Sequence, residues 1–517
     1  MPRLIETCQT CNKEVRHVQQ TLKLNNQEAY VYQCGHINFK RKLHTGGQVD
    51  PNDSNFANLN NDKLAYDFQK EGISFVEETN YNACIADAMG LGKTIQALLT
   101  IKRNKDQLLP CLIVVPGSLK YQWARQIYDW CDAKVLSVNP ISSPATIIPG
   151  FDYYIISMDL LSRKTVADKL QTLGIKLLII DEAHKFKNIS TKRSQALVSI
   201  IQDCQITHKL LLTGTPIKNR ANEYFMLLNL MAPAQFPSLR SFQLRWLEPN
   251  EKGRYTRVPA YLMPKFKRLI SQWIIRREKR DVLTNLPPLT RDYQFIEITD
   301  PEVKRTYNRE IDLFSNYLNS AGKFKVTDIL GWLSRIRNLT GLAKCQAAVD
   351  HSIDFLDSTD EKLCIGIHHK GLRDTLHEVF TACGYDPLKF SGEDSPMRKN
   401  RVQQMFNNGE DRLLILNILA GGVGIDLQAC SNALVLERQW NAADEEQFEG
   451  RFDRDGQVNP VTITYLIARG TIDEWFHNMV IAKRKIFHTH VGGEETDLTQ
   501  DQNSLLELAK QVVSQKL

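Results

Sequence analysis

The sequence predicts an α/β protein: two parallel-sheet lobes, a helical insertion between them and a small metal-binding segment in front. Three observations predict it. Short β-rich apolar runs (NACIAD, CLIVVP, YYIIS, LLIID, KLLLTG) alternate with helical stretches across residues 64–235, which is how strands buried on both faces read. The alternation resumes later with LCIGIH, RLLILN, NALVLE and VTITYLI. Between the two, residues 262–283 and 301–345 carry Lys, Arg and aromatics at helical spacing, and the strands are expected to disappear.

Bulk properties set the frame. A chain of 517 residues is too long for one core. Its formal charge of +6, from 65 basic and 59 acidic residues, permits a nucleic-acid-binding face without demanding one. No apolar run approaches the ~20 residues needed to cross a bilayer, and the opening MPRLIETCQTC lacks the apolar core of a secretion signal. The 11 cysteines are mostly scattered singly through apolar segments, which fits reduced thiols in cytosol or nucleus.

Residues 1–50 hold Cys8-x-x-Cys11 and Cys34-Gly-His36. Two chelating pairs make a tetrahedral Cys3His site for a structural Zn²⁺, with His17 and His44 as rival fourth ligands; Gly35 allows the tight turn that favours His36. Metal binding would supply folding energy that so small a segment lacks. Four protein ligands leave no open position for chemistry, so this segment is expected to recognise DNA or a protein partner. The polar stretch GGQVDPNDSNFANLNND then reads as a linker. The expected division is 1–50 zinc segment, 51–235 first lobe, 236–345 helical insertion, 346–490 second lobe and 491–517 a peripheral tail.

Three motifs carry chemistry. Residues 87–94, DAMGLGKT, follow a strand and open the helix TIQALLTIK, the context of a phosphate loop, with Asp87 where the first glycine of G-x-x-x-x-G-K-[ST] belongs. Backbone N–H groups from Asp87 through Met89, Gly90, Leu91 and Gly92 would cradle phosphates of ATP. Lys93 would meet the β- and γ-phosphates and the Thr94 hydroxyl would ligate Mg²⁺. The strand KLLII delivers Asp181-Glu182-Ala183-His184 at its C-terminal end. Asp181 suits Mg²⁺, commonly through water, and Glu182 suits orienting and deprotonating the attacking water. In the second lobe, Gln447-x-x-Gly450-Arg451-x-x-Arg454 puts two arginines one turn apart, the pattern of fingers that neutralise a γ-phosphate. Each motif alone has a bland reading, as an acidic helix start or a solvated arginine pair; their order along one chain argues against it.

From about residue 64 to 490 the chain resembles the Swi/Snf-type double-stranded-DNA translocases of helicase superfamily two. The resemblance rests on DAMGLGKT, LIVVPGSLKYQW, DEAHKFKN, LLLTGTPIKNR, IIRREKRDVLTNLPP, FSGEDS, ILAGGVGIDLQACSNALVLERQWN, QFEGRFDRDGQ and GTIDEWFHNMVIAKRK. It implies two RecA-like lobes, an adenine-reading role for Gln69 and a nucleotide contact from Gln447. Asp453 stands where relatives often have histidine, ILAGGVG lacks the usual Ser/Thr opening with Asn417 as a substitute, and His368-His369 is similar to the branch of strand-annealing fork remodellers.

The resemblance also implies a DNA track that grips phosphates, which position without reading sequence. Pro116, Gly117, Ser118 and Lys120 are expected there from lobe one, and Ser391, Gly392, Gly421 and Gly422 from lobe two. Arg276, Arg277, Lys279 and Arg280 line the groove or form a solvated face, and Trp440 packs between lobes or in a core. The expected activity is ATP-driven translocation on double-stranded or branched DNA, with hydrolysis to ADP and phosphate. A strand-separating helicase and a zinc-dependent binding module with an ATP-switched motor are the alternatives. A monomer off the membrane is expected, in the cytoplasm of a prokaryote, phage or virus, or alternatively in a nucleus.

Overall fold

The computed structural model describes residues 65–489, apart from 132, 134–136, 215–220, 251–252, 254, 321–324, 422–424 and 441. Ahead of them it describes only the backbone of short strands between residues 6 and 39, and beyond them residues 509–510 and 512–513. The first strands are an antiparallel pair, β1 (Glu6–Thr7) and β2 (Glu14–Val15), and an antiparallel sheet of β3 (Val18–Leu24), β4 (Gln27–Tyr32) and β5 (Ile37–Phe39).

Lobe one is built on β6 (Asn82–Ile85), β7 (Cys111–Val115), β8 (Val138–Pro140), β9 (Tyr153–Ser157), β10 (Leu177–Ile180) and β11 (His208–Leu212). A small antiparallel pair, β12 (Glu248–Pro249) and β13 (Tyr255–Arg257), lies outside its sheet, and β14 (Ile274–Ile275) completes that sheet. The seven strands run in the order β14-β6-β11-β10-β7-β9-β8, all parallel. Every residue of β7 and β10 is buried, as their unbroken CLIVV and LLII runs require. Because all strands point one way, the loops after β6, β7, β10 and β11 open on one edge, where ligands bind in such sheets.

Lobe two repeats the plan with β15 (Leu289–Ile296), β16 (Leu363–Ile367), β17 (Leu388–Phe390), β18 (Leu413–Asn417), β19 (Asn432–Val435) and β20 (Val461–Ala468), in the order β15-β20-β19-β16-β18-β17, again all parallel.

The expectation that strands vanish across 236–345 does not hold. Ile274–Ile275 extends lobe one beside β6, and Leu289–Ile296 is the edge strand of lobe two beside β20. An edge strand such as LTRDYQFI is only partly buried and so lacks the continuous apolar run of an interior strand. Helices dominate the remainder, over Pro301–Ser320, Val326–Ala343 and Cys345–Ser358.

Tyr307, Phe314 and Ile336 of the first two helices pack with Phe476, Ala509 and Val512. The described part of the tail therefore docks: Ala509 and Val512 are fully buried. Trp440 belongs to this layer, with its ring 4.6 Å from Phe476 and the Arg337 guanidinium 6.0 Å from its centre. It is a core residue of lobe two.

Candidate active site

The phosphate loop forms as expected. Gly90 and Gly92 sit at φ 86° and 69°, in the left-handed region that glycine tolerates, and the helix Lys93–Arg103 starts at once. Lys93 Nζ donates to the carbonyls of Asp87 at 2.8 Å and Ala88 at 3.2 Å, which holds it over the loop. Burial pushes its ammonium pKa down, and the charges of Glu182, Asp87 and Asp181 oppose that. Gln69 Nε2 donates to the Leu91 carbonyl at 3.2 Å, while its Oε1 accepts from the Tyr66 amide. Met89 is a spacer: a methyl on Gly214 would lie 2.9 Å from it, and one on Gly450 of lobe two 3.4 Å.

The Asp87 carboxylate turns away from the loop, toward the segment between the lobes. Asp87 is fully buried, and its carboxylate accepts from Arg277 Nη2 at 2.7 Å, Arg277 Nε at 3.0 Å and Gln96 Nε2 at 2.9 Å. The first position of the loop is thus an anchor for the segment between the lobes.

At the end of β10, both oxygens of Asp181 are engaged. Oδ2 accepts from the Trp123 indole at 2.9 Å and Oδ1 from the Glu182 amide at 2.8 Å, which suits holding an ion through its water shell. Burial raises the Asp181 pKa, and the neighbouring Glu182 charge raises it further. Burial acts on Glu182 in the same sense, yet the contact with His184 and the charges of His184 and Lys93 hold it below the usual carboxylate range. It is therefore ionised at neutral pH. His184 Nδ1 lies 3.2 Å from Glu182 Oε2 and 3.1 Å from Thr213 Oγ1, which ties this loop to the one after β11. Glu182 itself has φ 50° and ψ 46°, a strained backbone for a non-glycine residue.

Lobe two closes the site. Gln447 Nε2 donates to Glu182 Oε1 at 3.3 Å. Arg451 Nη1 donates to the Ile425 carbonyl at 3.3 Å, and Arg454 pairs with Asp426. Tyr66, stacked on Phe68 at 5.6 Å, donates to Asp455 Oδ1 at 2.9 Å. A cavity of about 410 Å³ lies between the lobes. Gln69, Lys93, Thr94, Asp181, Glu182, Arg451 and Arg454 all line it, so residues 385 positions apart in sequence meet at one void. Within it, Arg454 Nε is a buried donor that no described residue satisfies, a fit for an anion.

Of the basic segment, Arg277 and Lys279 turn inward, while Arg276, paired with Glu278, and Arg280 stay exposed. Arg277 turns inward to Asp87, while Lys279 Nζ lies 2.8 Å from Asp453 Oδ2 and Arg280 Nη2 3.3 Å from Asp453 Oδ1. Buried carboxylates on both lobes draw Arg277 and Lys279 in, which a charge run in sequence does not reveal.

Of the expected DNA contacts, Gly117 is exposed and Ser118 half-buried in the turn Gly117–Leu119 after β7. Lys120 is withdrawn: it is buried and its Nζ donates to the Ile141 carbonyl at 2.9 Å. Ser391 is also buried, its amide donating to Asp394 at 2.7 Å, whereas Gly392 is exposed. Asn417 Nδ2 donates to the His368 carbonyl at 2.5 Å and so braces lobe two. Gly421 ends the short helix Ile418–Gly421. Gly422 lies outside the described residues, as do the zinc candidates Cys8, Cys11, Cys34 and His36. Among the described residues no group of three or more His, Cys, Asp or Glu could hold a metal ion, and no helix is long and apolar enough to cross a membrane.

Sequence reasoning missed Tyr66, Trp123, Asp426 and Asp455. Tyr66 precedes Gln69 by one helical turn, and Trp123 closes the LKYQW stretch, so both stood beside motifs already in view. Asp426 and Asp455 lie inside ILAGGVGIDLQ and QFEGRFDRDGQ, but their partners Arg454 and Tyr66 are set by the fold and not by the motifs.

A model described as the SNF2-related domain matches residues 32–341, and one described as the helicase conserved C-terminal domain matches 308–456. DNA annealing helicase and endonuclease ZRANB3 of Mus musculus is 28% identical over 447 residues, covering 84% of this chain and 41% of that protein. Putative ATP-dependent helicase/translocase YwqA of Bacillus subtilis (strain 168) is 27% identical over 477 residues, covering 86% of this chain and 50% of that protein. This chain thus spans half or less of the length of these curated relatives. A solved structure, the Sulfolobus solfataricus SWI2/SNF2 ATPase core in complex with dsDNA, is 21% identical, with a TM-score of 0.38, and covers 88% of this chain and 97% of that one. The SNF2-related match takes in more than half of the 517 residues, and the chain belongs to the SNF2-related family of helicase-like ATPases.

Proposed function

We propose that this chain hydrolyses ATP between its lobes to drive movement along double-stranded DNA, remodelling branched structures or displacing bound proteins. One observation carries the reading: the inter-lobe cavity is lined at once by the phosphate loop, the Asp181–Glu182 pair and the two arginines of lobe two. Mg²⁺, held by Thr94 and through water by Asp181, would supply charge neutralisation at the phosphate oxygens. Gln69 reads the base, Lys93 holds the terminal phosphates and Glu182 takes the proton of the attacking water. Arg451 and Arg454 offset the charge that develops in the transition state. Closure of lobe two on these groups is what makes hydrolysis report on lobe position.

The exposed Gly117 and half-buried Ser118 of lobe one, with Gly392 and Gly421 of lobe two, supply small groups suited to phosphate contact without base reading. The four zinc candidates of residues 1–50 take no part in this reading.

Two measurements test it. Glu182→Gln should lower ATP turnover by about 10²–10⁴ while nucleotide binding persists; unchanged turnover removes Glu182 as the base. ATPase rates with duplex, forked and single-stranded DNA and with RNA, beside a triplex-displacement assay, test the track. Stimulation by duplex or forked DNA with triplex displacement is expected. Stimulation by RNA or single strands and none by duplex overturns translocation on duplex DNA, and duplex unwinding without triplex displacement moves the reading to a strand-separating helicase.

A further inference from the structure

We infer that Lys279 and Asp453 are a positioning pair that sets Arg454 against the phosphate loop, so that the basic segment between the lobes acts as a spacer of the catalytic site. The inference rests on the ATPase reading above and assigns a role to residues that this reading leaves unused.

The segment is anchored at two points very close in sequence. Arg277 is fixed to lobe one: it pairs with buried Asp87, its Nη2 donates to Gln96 Oε1 at 2.9 Å, and it bonds the Phe68 carbonyl. Its guanidinium also lies 5.3 Å from the centre of the Phe68 ring. Lys279 is fixed to lobe two, with its Nζ on the carboxylate of Asp453 and also bonded to the Asp453 backbone carbonyl. Arg280 adds a contact to the other oxygen of that carboxylate at 3.3 Å. Two residues of backbone reach at most ~7 Å. The phosphate loop and the arginine motif are therefore gauged against each other by a short local rod, and not only through the bodies of two large lobes.

The gauge acts on Arg454 because Asp453 is its chain neighbour. Both ends converge on Gly90: a methyl placed there would lie 3.2 Å from Arg454 Cβ and 3.8 Å from Lys279 Cε. The Lys279 and Asp453 side chains are only 12% and 9% exposed, so water screens their attraction weakly. Lys93 and Arg454 line the cavity, and Lys279 approaches the same Gly90. Asp453 is the carboxylate that neutralises Lys279 there, while Arg454 leans on Asp426. Burial lowers the Lys279 pKa, and the charge and hydrogen bond of Asp453 oppose this. Without Asp453, Lys279 would repel both Arg454 and Lys93. Arg454 would lose its set position although none of its own contacts had been removed.

The experiment uses the full chain with saturating duplex DNA. Asp453→Asn and Lys279→Met should each lower kcat for ATP about tenfold, with the KM for ATP within about twofold of the parent. A double variant should cost no more than either single change, because the two groups act as one unit. Asp453→Glu and Lys279→Arg, which keep the charges, should recover most of the rate. A role in folding alone would instead lower the melting temperature and leave kcat per folded molecule unchanged, and that result overturns the inference. So does a parent-like kcat in Asp453→Asn, or additive losses in the double variant. Lys93→Ala separates the two levels. If it abolishes turnover while Asp453→Asn is parent-like, the pair is overturned and the ATPase site stands. If Lys93→Ala keeps parent turnover, the site reading falls and the pair with it.

Discussion

Arg277 Nη2 lies 2.7 Å from Asp87 Oδ2, joining the first position of the phosphate loop to the segment that leads into the other lobe. A standard phosphate loop has glycine there, and glycine could not accept this contact. Asp87→Gly therefore should not improve the loop. It leaves the Arg277 guanidinium, 11% exposed, without its buried carboxylate partner and with only the exposed Glu71 at 3.9 Å, and the expected cost is ~3 kcal/mol of stability. Urea unfolding of parent and variant checks it, and a variant as stable as the parent would reduce Asp87 to a family marker.

Arg454 leans on Asp426, with the two side chains 21% and 28% exposed. An incoming phosphate must compete with that carboxylate for the guanidinium. Asp426→Asn removes the competitor and a negative charge from the cavity wall, so ATP should bind more tightly. A partly exposed pair is worth about 1 kcal/mol, roughly fivefold in affinity. Calorimetric titration with a non-hydrolysable analogue reads this directly; weaker binding would mean that Asp426 orients Arg454 instead of restraining it.

Acid should destabilise lobe two through His368. Burial first, then the charges of Arg337 and His369, push its pKa down to about 4, against ~6.5 in an unfolded chain. The unfolded chain thus binds the proton more readily, so this contribution is complete above pH ~6.5 and is lost as pH falls toward 4. Glu437, held low at about 2 against burial by its contact with His369, adds a loss that begins below its unfolded value of ~4.5. The melting temperature of His368→Gln should fall less than that of the parent between pH 6.5 and pH 4. Parallel curves would mean that the proton is taken elsewhere.

The interior strands and the nucleotide motifs were legible because their signals are local. LLII is apolar throughout since both faces of β10 are covered, and phosphate binding needs a fixed run of adjacent residues. The edge strand β15 was not legible, because partial burial gives LTRDYQFI a mixed pattern. The inward turn of Arg277 and Lys279 was hidden for another reason. Whether a cation faces solvent or a buried carboxylate depends on partners up to 190 positions away, and one sequence does not carry that pairing. Lys120 was hidden in the same way: its ammonium is taken by a carbonyl 21 positions on, which the run LKYQW does not announce.

Glu182 holds a left-handed backbone at φ 50°. That conformation costs a non-glycine residue roughly 1–2 kcal/mol. The folded chain carries this debt at the position proposed to present a carboxylate to the attacking water. Drift toward glycine at 182 would relax the backbone and remove the proposed base in the same step. Variants selected only for thermal robustness would then fill with inactive molecules, and a screen of this protein has to read turnover alongside stability.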